Sequence, residues 1–167
     1  MSSFNRRSFL LSAAALGVPL GGCGFTPVYG PGGGGRNLLN NVLVDEPKAS
    51  ESFLLVRELE DRLGQPGVNA EYGLSLALDL SERAVGRTVA QETDRFDVIG
   101  SATYALRGID SKEVRTSGKV SSFVSYSASG TTVSELAARN DAYERLSVIL
   151  ADRIVAELQA FEAAAAT

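Results

Sequence analysis

Apolar and polar positions follow two rhythms along this chain. From Tyr72 to Leu80, Tyr72, Leu74, Leu76, Leu78 and Leu80 alternate with Gly73, Ser75, Ala77 and Asp79. A period of two predicts a strand with one apolar face. A turn near Ser81 to Arg83 is expected to interrupt the pattern before Val85 to Gln91 continues it. Phe96 to Arg107 predicts a further strand, with Ala102, Tyr104 and Leu106 on one face. Val114 to Tyr126 predicts another, with Val120, Val124 and Tyr126 on one face and Arg115, Lys119 and Phe123 on the other. Gly108 to Lys112 reads as the hairpin connection between them. Leu38 to Val44 reads as a short strand, bounded by Pro47.

The second rhythm is helical. Leu55, Val56, Leu59 and Leu63 form one stripe of a helix from Glu51 to Leu63, with Ser50 as the expected cap and Glu58–Arg62 as an i,i+4 pair. Gly64 is the expected C′ residue, and Pro66 prevents the helix from resuming. Thr132 and Glu135 have the spacing of a capping box for a long helix from Val133 to about Ala163. Leu136, Tyr143, Leu146, Leu150, Ile154, Leu158 and Phe161 recur along it at helical spacing. The order β-α-β-β-β-α predicts an α+β fold, a mainly antiparallel sheet with two helices packed on one face. Residues 37–163 are expected to form one domain, with 164–167 as a tail.

The first residues have a different organisation. Arg6 and Arg7 make a positive start with no acid nearby, and a short apolar stretch from Phe9 to Leu20 follows. That stretch suits a signal-peptide core and is too short to span a bilayer as a helix. It ends in Leu20, Gly21, Gly22 and Cys23, which resembles a bacterial lipobox: small residues enter the peptidase, and the thiol of Cys23 takes up lipid. Residues 1–22 are therefore expected to be a signal peptide. Asn5 to Leu10 also resembles a twin-arginine signal, although Leu11 stands where that motif often has Lys. Gly24 follows the Cys, whereas an Asp there commonly retains Gram-negative lipoproteins at the inner membrane. The Gly- and Pro-rich residues 23–36 read as a tether. A phosphate-cradling loop is the sharper alternative, but no Gly-Lys-Ser/Thr follows and no strand precedes.

Composition narrows the chemistry. The chain has 167 residues, 16 Lys and Arg against 20 Asp and Glu, no His and one Cys. A His/Cys metal cluster and a His-based triad are excluded. The net charge of −4 argues against nucleic acid as a partner. There is no Gly-x-Ser-x-Gly elbow, and Lys48, Lys112 and Lys119 lie in no Ser-x-x-Lys motif, so no enzyme, cofactor or metal is expected. Ser101, Thr103, Thr116, Ser117, Ser121, Ser122 and Ser125 predict a hydroxyl-rich surface on the third and fourth strands. It reads either as a solvent face or as a surface that meets a polar lumen or glycan. Arg83, Arg87, Arg107, Lys112, Arg115 and Lys119 fall at strand and turn positions. Guanidinium groups bind phosphates in a bidentate manner, so these residues are candidates for a phosphorylated lipid head group. The alternative is dispersed charge that keeps the sheet soluble and blunts its edges.

The junction from Leu20 to Tyr29, with Cys-Gly-Phe-Thr-Pro-Val-Tyr after the lipobox, combines with the element order and the runs Asn140 to Leu146 and Ala151 to Val155. Together these resemble the LptE family of lipopolysaccharide-assembly lipoproteins in its alphaproteobacterial form. The resemblance implies an outer-membrane lipoprotein that plugs the LptD β-barrel one to one, helps assemble it, and takes part in delivering lipopolysaccharide to the outer leaflet. It carries over no catalytic residue. The competing reading is a free-standing outer-membrane lipoprotein acting as an envelope binding or scaffold module.

Overall fold

A computed structural model describes residues 27, 29–30, 33–67, 70–87, 93–128 and 130–165. The expected signal residues Arg6, Arg7, Leu20, Gly21 and Gly22, and the expected lipid-bearing Cys23, lie outside the described residues.

The elements follow the expected order: β1 (Val42–Val44), α1 (Ser50–Leu63), β2 (Tyr72–Arg87), β3 (Thr93–Gly108), β4 (Val114–Ser127) and α2 (Thr132–Ala165). The sheet order is β1-β2-β3-β4. β1 pairs with β2 in parallel, and the other two pairings are antiparallel. Parallel neighbours need a crossover, and α1 supplies it. The sheet is therefore mixed, mainly antiparallel.

Both helices cover the same face. Leu74, Val98, Ala102, Leu106 and Val120 from the sheet pack with Leu55, Leu59 and Leu63 of α1 and Leu146, Leu150, Ile154 and Leu158 of α2. Fully burying one such aliphatic side chain contributes about 1.5–3 kcal/mol. Glycines set the approach of α2. A Cβ on Gly118 would lie 2.7 Å from Tyr104 Oη and 2.9 Å from Glu157 Oε2, so its absence leaves room for the Tyr104 hydroxyl to donate to Glu157 at 2.5 Å. Burial and that carboxylate together push the Tyr104 hydroxyl well above the ordinary phenol range. Arg62 links the helices, bonding Glu58 Oε2 at 2.8 Å on its own helix, as the i,i+4 spacing predicts, and Asp152 Oδ1 at 2.7 Å on α2.

Several expectations are corrected. The first strand begins at Val42, not Leu38, because Asn40 has a left-handed φ of 57° and its N–H bonds Leu63 O at 2.7 Å. Leu38 is buried, but in the preceding turn. No turn interrupts β2 at Ser81 to Arg83, since those residues pair with Ile99, Val98 and Asp97. The irregularity comes later, between Ala84 and Arg87. Ser50 does not cap α1. Ala49 is the N-cap, and Ser52 Oγ accepts from Ala49 N–H at 3.3 Å and donates to Ala49 O at 2.7 Å. The Thr132–Glu135 capping box gives way to Thr131, whose Oγ1 accepts from Ser134 N–H at 3.3 Å. Leu136 leaves the buried stripe and is 55% exposed, since the buried residues of α2 begin only at Ala142.

The last residues of the expected tether are packed. Gly34–Arg36 form a 3₁₀ turn in which Gly34 and Gly35 are buried. A Cβ on Gly34 would lie 2.5 Å from Ala163 N, so only glycine permits this seat on α2. Nearby, Gln159 Nε2 donates to Tyr29 Oη at 2.5 Å.

Candidate functional site on the open face of the sheet

One residue out of step with the core positions, the same three long strands build a second face that no described helix covers. The antiparallel register sets its side chains in rows: Asp79, Ser101 and Ser121; Ala77, Thr103 and Lys119; Ser75, Ala105 and Ser117. Most are small, so the surface is flat, and hydroxyls line β3 and β4. Ser122 and Thr116 do not belong to it. They pair with Gly100 and Leu106, which puts them on the helix side, so the expected hydroxyl surface is narrower than the sequence count implies.

The basic residues do not gather into one cluster. Arg83 crosses to Asp97 at 3.5 Å, and Ser125 Oγ donates to the same carboxylate at 2.6 Å. Lys119 sits six register steps away, opposite Thr103, about 20 Å along the strands at roughly 3.3 Å per residue. Arg107 is four steps beyond, about 13 Å further. Its guanidinium lies over Gly73 and forks onto Asp45, with Nη2–Oδ1 at 2.7 Å and Nη1–Oδ2 at 3.0 Å. Arg107 also donates to Ser75 Oγ. The hydrogen bonds from Arg107 hold the Asp45 carboxyl below the usual carboxylate range, against the opposing effect of burial. Arg115 lies at the irregularity between the Leu106 and Arg107 pairings, where its charge reaches the Tyr72 hydroxyl. Lys112 lies in the hairpin connection with a left-handed φ of 59°. Arg87 ends β2. Arg83 and Arg107 are thus neutralised locally, whereas Lys119 is exposed and has no ion-pair partner among the described residues.

Two arginines missed by the sequence reading bear on this face. Arg153 of α2 reaches around β4 to donate to Ser121 O, and Arg145 donates to Ser125 O at 3.5 Å. Arg153, Arg83, Asp97 and Phe123 help line a shallow cleft of about 390 Å³. The available signal was spacing: residues 145 and 153 lie two helical turns apart, on one side of α2. Phe123 is 63% exposed beside that cleft.

These rows give a mostly polar face with Lys119 unpaired near its centre and Arg83 and Arg107 paired towards its ends. Such a surface suits hydrogen bonding to a polar wall or to a phosphorylated, hydroxyl-rich ligand.

Among solved structures, the chain is similar to a protein described as a lipoprotein from Caulobacter crescentus CB15. The two share 24% identity and a TM-score of 0.66, covering 78% of this chain and 96% of that one. The rare lipoprotein B of Shewanella oneidensis is similar at 16% identity and a TM-score of 0.55, over 73% and 94% of the two chains. A minor lipoprotein of Acinetobacter baumannii is similar at 14% identity and 0.59, over 74% and 93%. At these identities the likeness establishes the fold. No curated protein matches the sequence. The family of lipopolysaccharide-assembly proteins, LptE, matches residues 40–158, from just before β1 to the far half of α2. The chain belongs to the LptE family of lipopolysaccharide-assembly proteins.

Proposed function

We propose that the chain is an outer-membrane lipoprotein, anchored through Cys23, that seats in the lumen of the LptD β-barrel. There it helps the barrel assemble and pass lipopolysaccharide to the outer leaflet. Family membership gives the process, lipopolysaccharide assembly. The observation that carries the finer reading is the open sheet face, whose rows of small hydroxyl side chains match the polar interior of a large barrel. Its role is non-enzymatic: it supplies shape and hydrogen bonds. Direct contact with lipopolysaccharide uses Lys119, an exposed cation of that face that no ion pair occupies. Arg83 and Arg107 stay committed to Asp97 and Asp45.

The test is purification of the C-terminally tagged chain from detergent-solubilised outer membranes. A large β-barrel recovered at one-to-one stoichiometry through high-salt washing is expected. Recovery of the abundant chain alone would overturn the plug reading in favour of a free-standing envelope lipoprotein. Cys23→Ser is expected to move the chain out of the membrane fraction, read by fractionation and immunoblot; unchanged membrane association would sink the anchor assignment.

A further inference from the structure

The sheet has two outer edges, and they are treated differently. At the β4 edge, Arg145 and Arg153 of α2 occupy two outward carbonyls, those of Ser125 and Ser121. The β2 edge is covered by β1 only as far as Leu74. The last backbone bond across it runs from Asp45 N–H to Leu74 O at 2.9 Å, after which the chain turns away into α1.

Successive residues of a strand point their backbone groups to opposite edges. Leu74 points towards β1, so Leu76, Leu78, Leu80 and Glu82 point the same way. Beyond Leu74 their N–H and C=O groups have no partner among the described residues. A long, flat, unpaired edge is a template for another strand. The side chains of Leu76, Leu78 and Leu80 line a cleft of about 440 Å³ at this edge, between β2 and the start of α1, with Val56 and Tyr143 completing its apolar wall. Glu46 and Glu51 stand on its rim, with Lys48 as the base beside them.

We propose that this edge receives an extended segment of a partner protein, added to β2 as a further strand. Backbone groups of Leu76, Leu78 and Leu80 hold it, alternate apolar side chains fill the cleft, and basic side chains meet the acidic rim. Strand addition accounts for the free backbone row and the cleft together, because the two share the same alternate residues. A second copy of this chain would set acidic rim against acidic rim. Of the described residues before β1, Tyr29 and Gly34 are engaged elsewhere, at Gln159 and Ala163 of α2.

The probe is a fluorescein-labelled peptide of seven residues, Lys and Val alternating, titrated onto the full lipid-anchored chain in detergent micelles. Two versions carry N-methyl groups, on the valine amides or on the lysine amides. Saturable binding is expected, with loss of at least tenfold in affinity for one methylated set and little change for the other. Sensitivity to both sets or to neither overturns the proposal. So does concentration-dependent dimerisation of the chain through this edge, or equal affinity for a peptide with Glu in place of Lys. In the unaltered chain, hydrogen exchange at the amides of Leu76, Leu78 and Leu80 is expected to slow at least tenfold with peptide bound, while Ala77 and Asp79, already paired to β3, do not change. Protection confined to other elements overturns it. Leu78→Pro removes one outward N–H and is expected to cut affinity at least tenfold; the exchange measurement stands whether or not that variant folds.

Discussion

On the helix side of the sheet, Leu74, Val98, Ala102, Leu106 and Val120 are at most 4% exposed. One residue along the same strands, Ala77, Thr103, Ser117, Lys119 and Ser121 face solvent. The backbone is shared, so the difference lies wholly in which side chains the pleat sends each way. The covered side is packed with branched aliphatics and closed by two helices. The other carries small groups along its middle rows, which order themselves at little entropic cost, with Lys119 and the exposed Phe123 standing among them. One face therefore holds the fold, and its opposite is free to vary with the needs of contact.

The sharpest way to break that contrast is to exchange its terms. Ile154→Ala, in the core, is expected to lower stability by about 2–5 kcal/mol, whereas Thr103→Ala on the open face stays within about 0.5 kcal/mol. Urea unfolding of both variants decides it, and equal losses would refute the division. Next in size is Gly118→Ala. Its new methyl would crowd the Tyr104–Glu157 bond, costing about 1–3 kcal/mol in the same assay. Tyr104→Phe, which removes only the donor, is expected to cost about 1 kcal/mol. If the alanine variant were as stable as wild type, glycine would not be setting the approach of α2.

The smallest stability effects belong to the paired charges at the ends of the open face. Because Arg107 holds the Asp45 carboxyl below its unfolded value, the pair contributes above the ordinary carboxylate range and loses its contribution as pH falls through the depressed value. Asp45→Asn should therefore cost about 0.2–1 kcal/mol at neutral pH, a range set by partial exposure, and nothing in strong acid. A pH series of denaturant melts reads this directly; a gap that widens on acidification would contradict the sign. Lys119→Glu should leave those melts unchanged and weaken retention of the chain on lipopolysaccharide aggregates severalfold. Unchanged retention would remove Lys119 from the contact.

The contrast also explains what could be read without coordinates. Period-two patterning from Tyr72 to Leu80 and the apolar stripe on α2 fix elements and faces, because burial itself imposes those periods. Helix starts slipped by one position where hydroxyl residues crowd together: Ser50 and Ser52 flank the first turn of α1, and Thr131, Thr132 and Ser134 that of α2. Composition cannot choose among adjacent candidates when backbone geometry decides. The strand expected from Leu38 fails at Asn40, whose left-handed backbone answers to a bond with Leu63, far along the chain. The open face was legible as a set of residues but not as an arrangement. Nothing local reveals that Arg107 is spent on Asp45, that Ser122 turns inward, or that Arg153 reaches back to Ser121.

Gly34 has a mechanical consequence. Its backbone rests against that of Ala163 more closely than any side chain would allow. A pull arriving from the residues ahead of it is therefore delivered to the far end of a 34-residue helix. That helix lies across the sheet and is bolted to it by Leu146, Leu150, Ile154 and Leu158. The residues just ahead of β1 are thus seated on the longest helix of the fold.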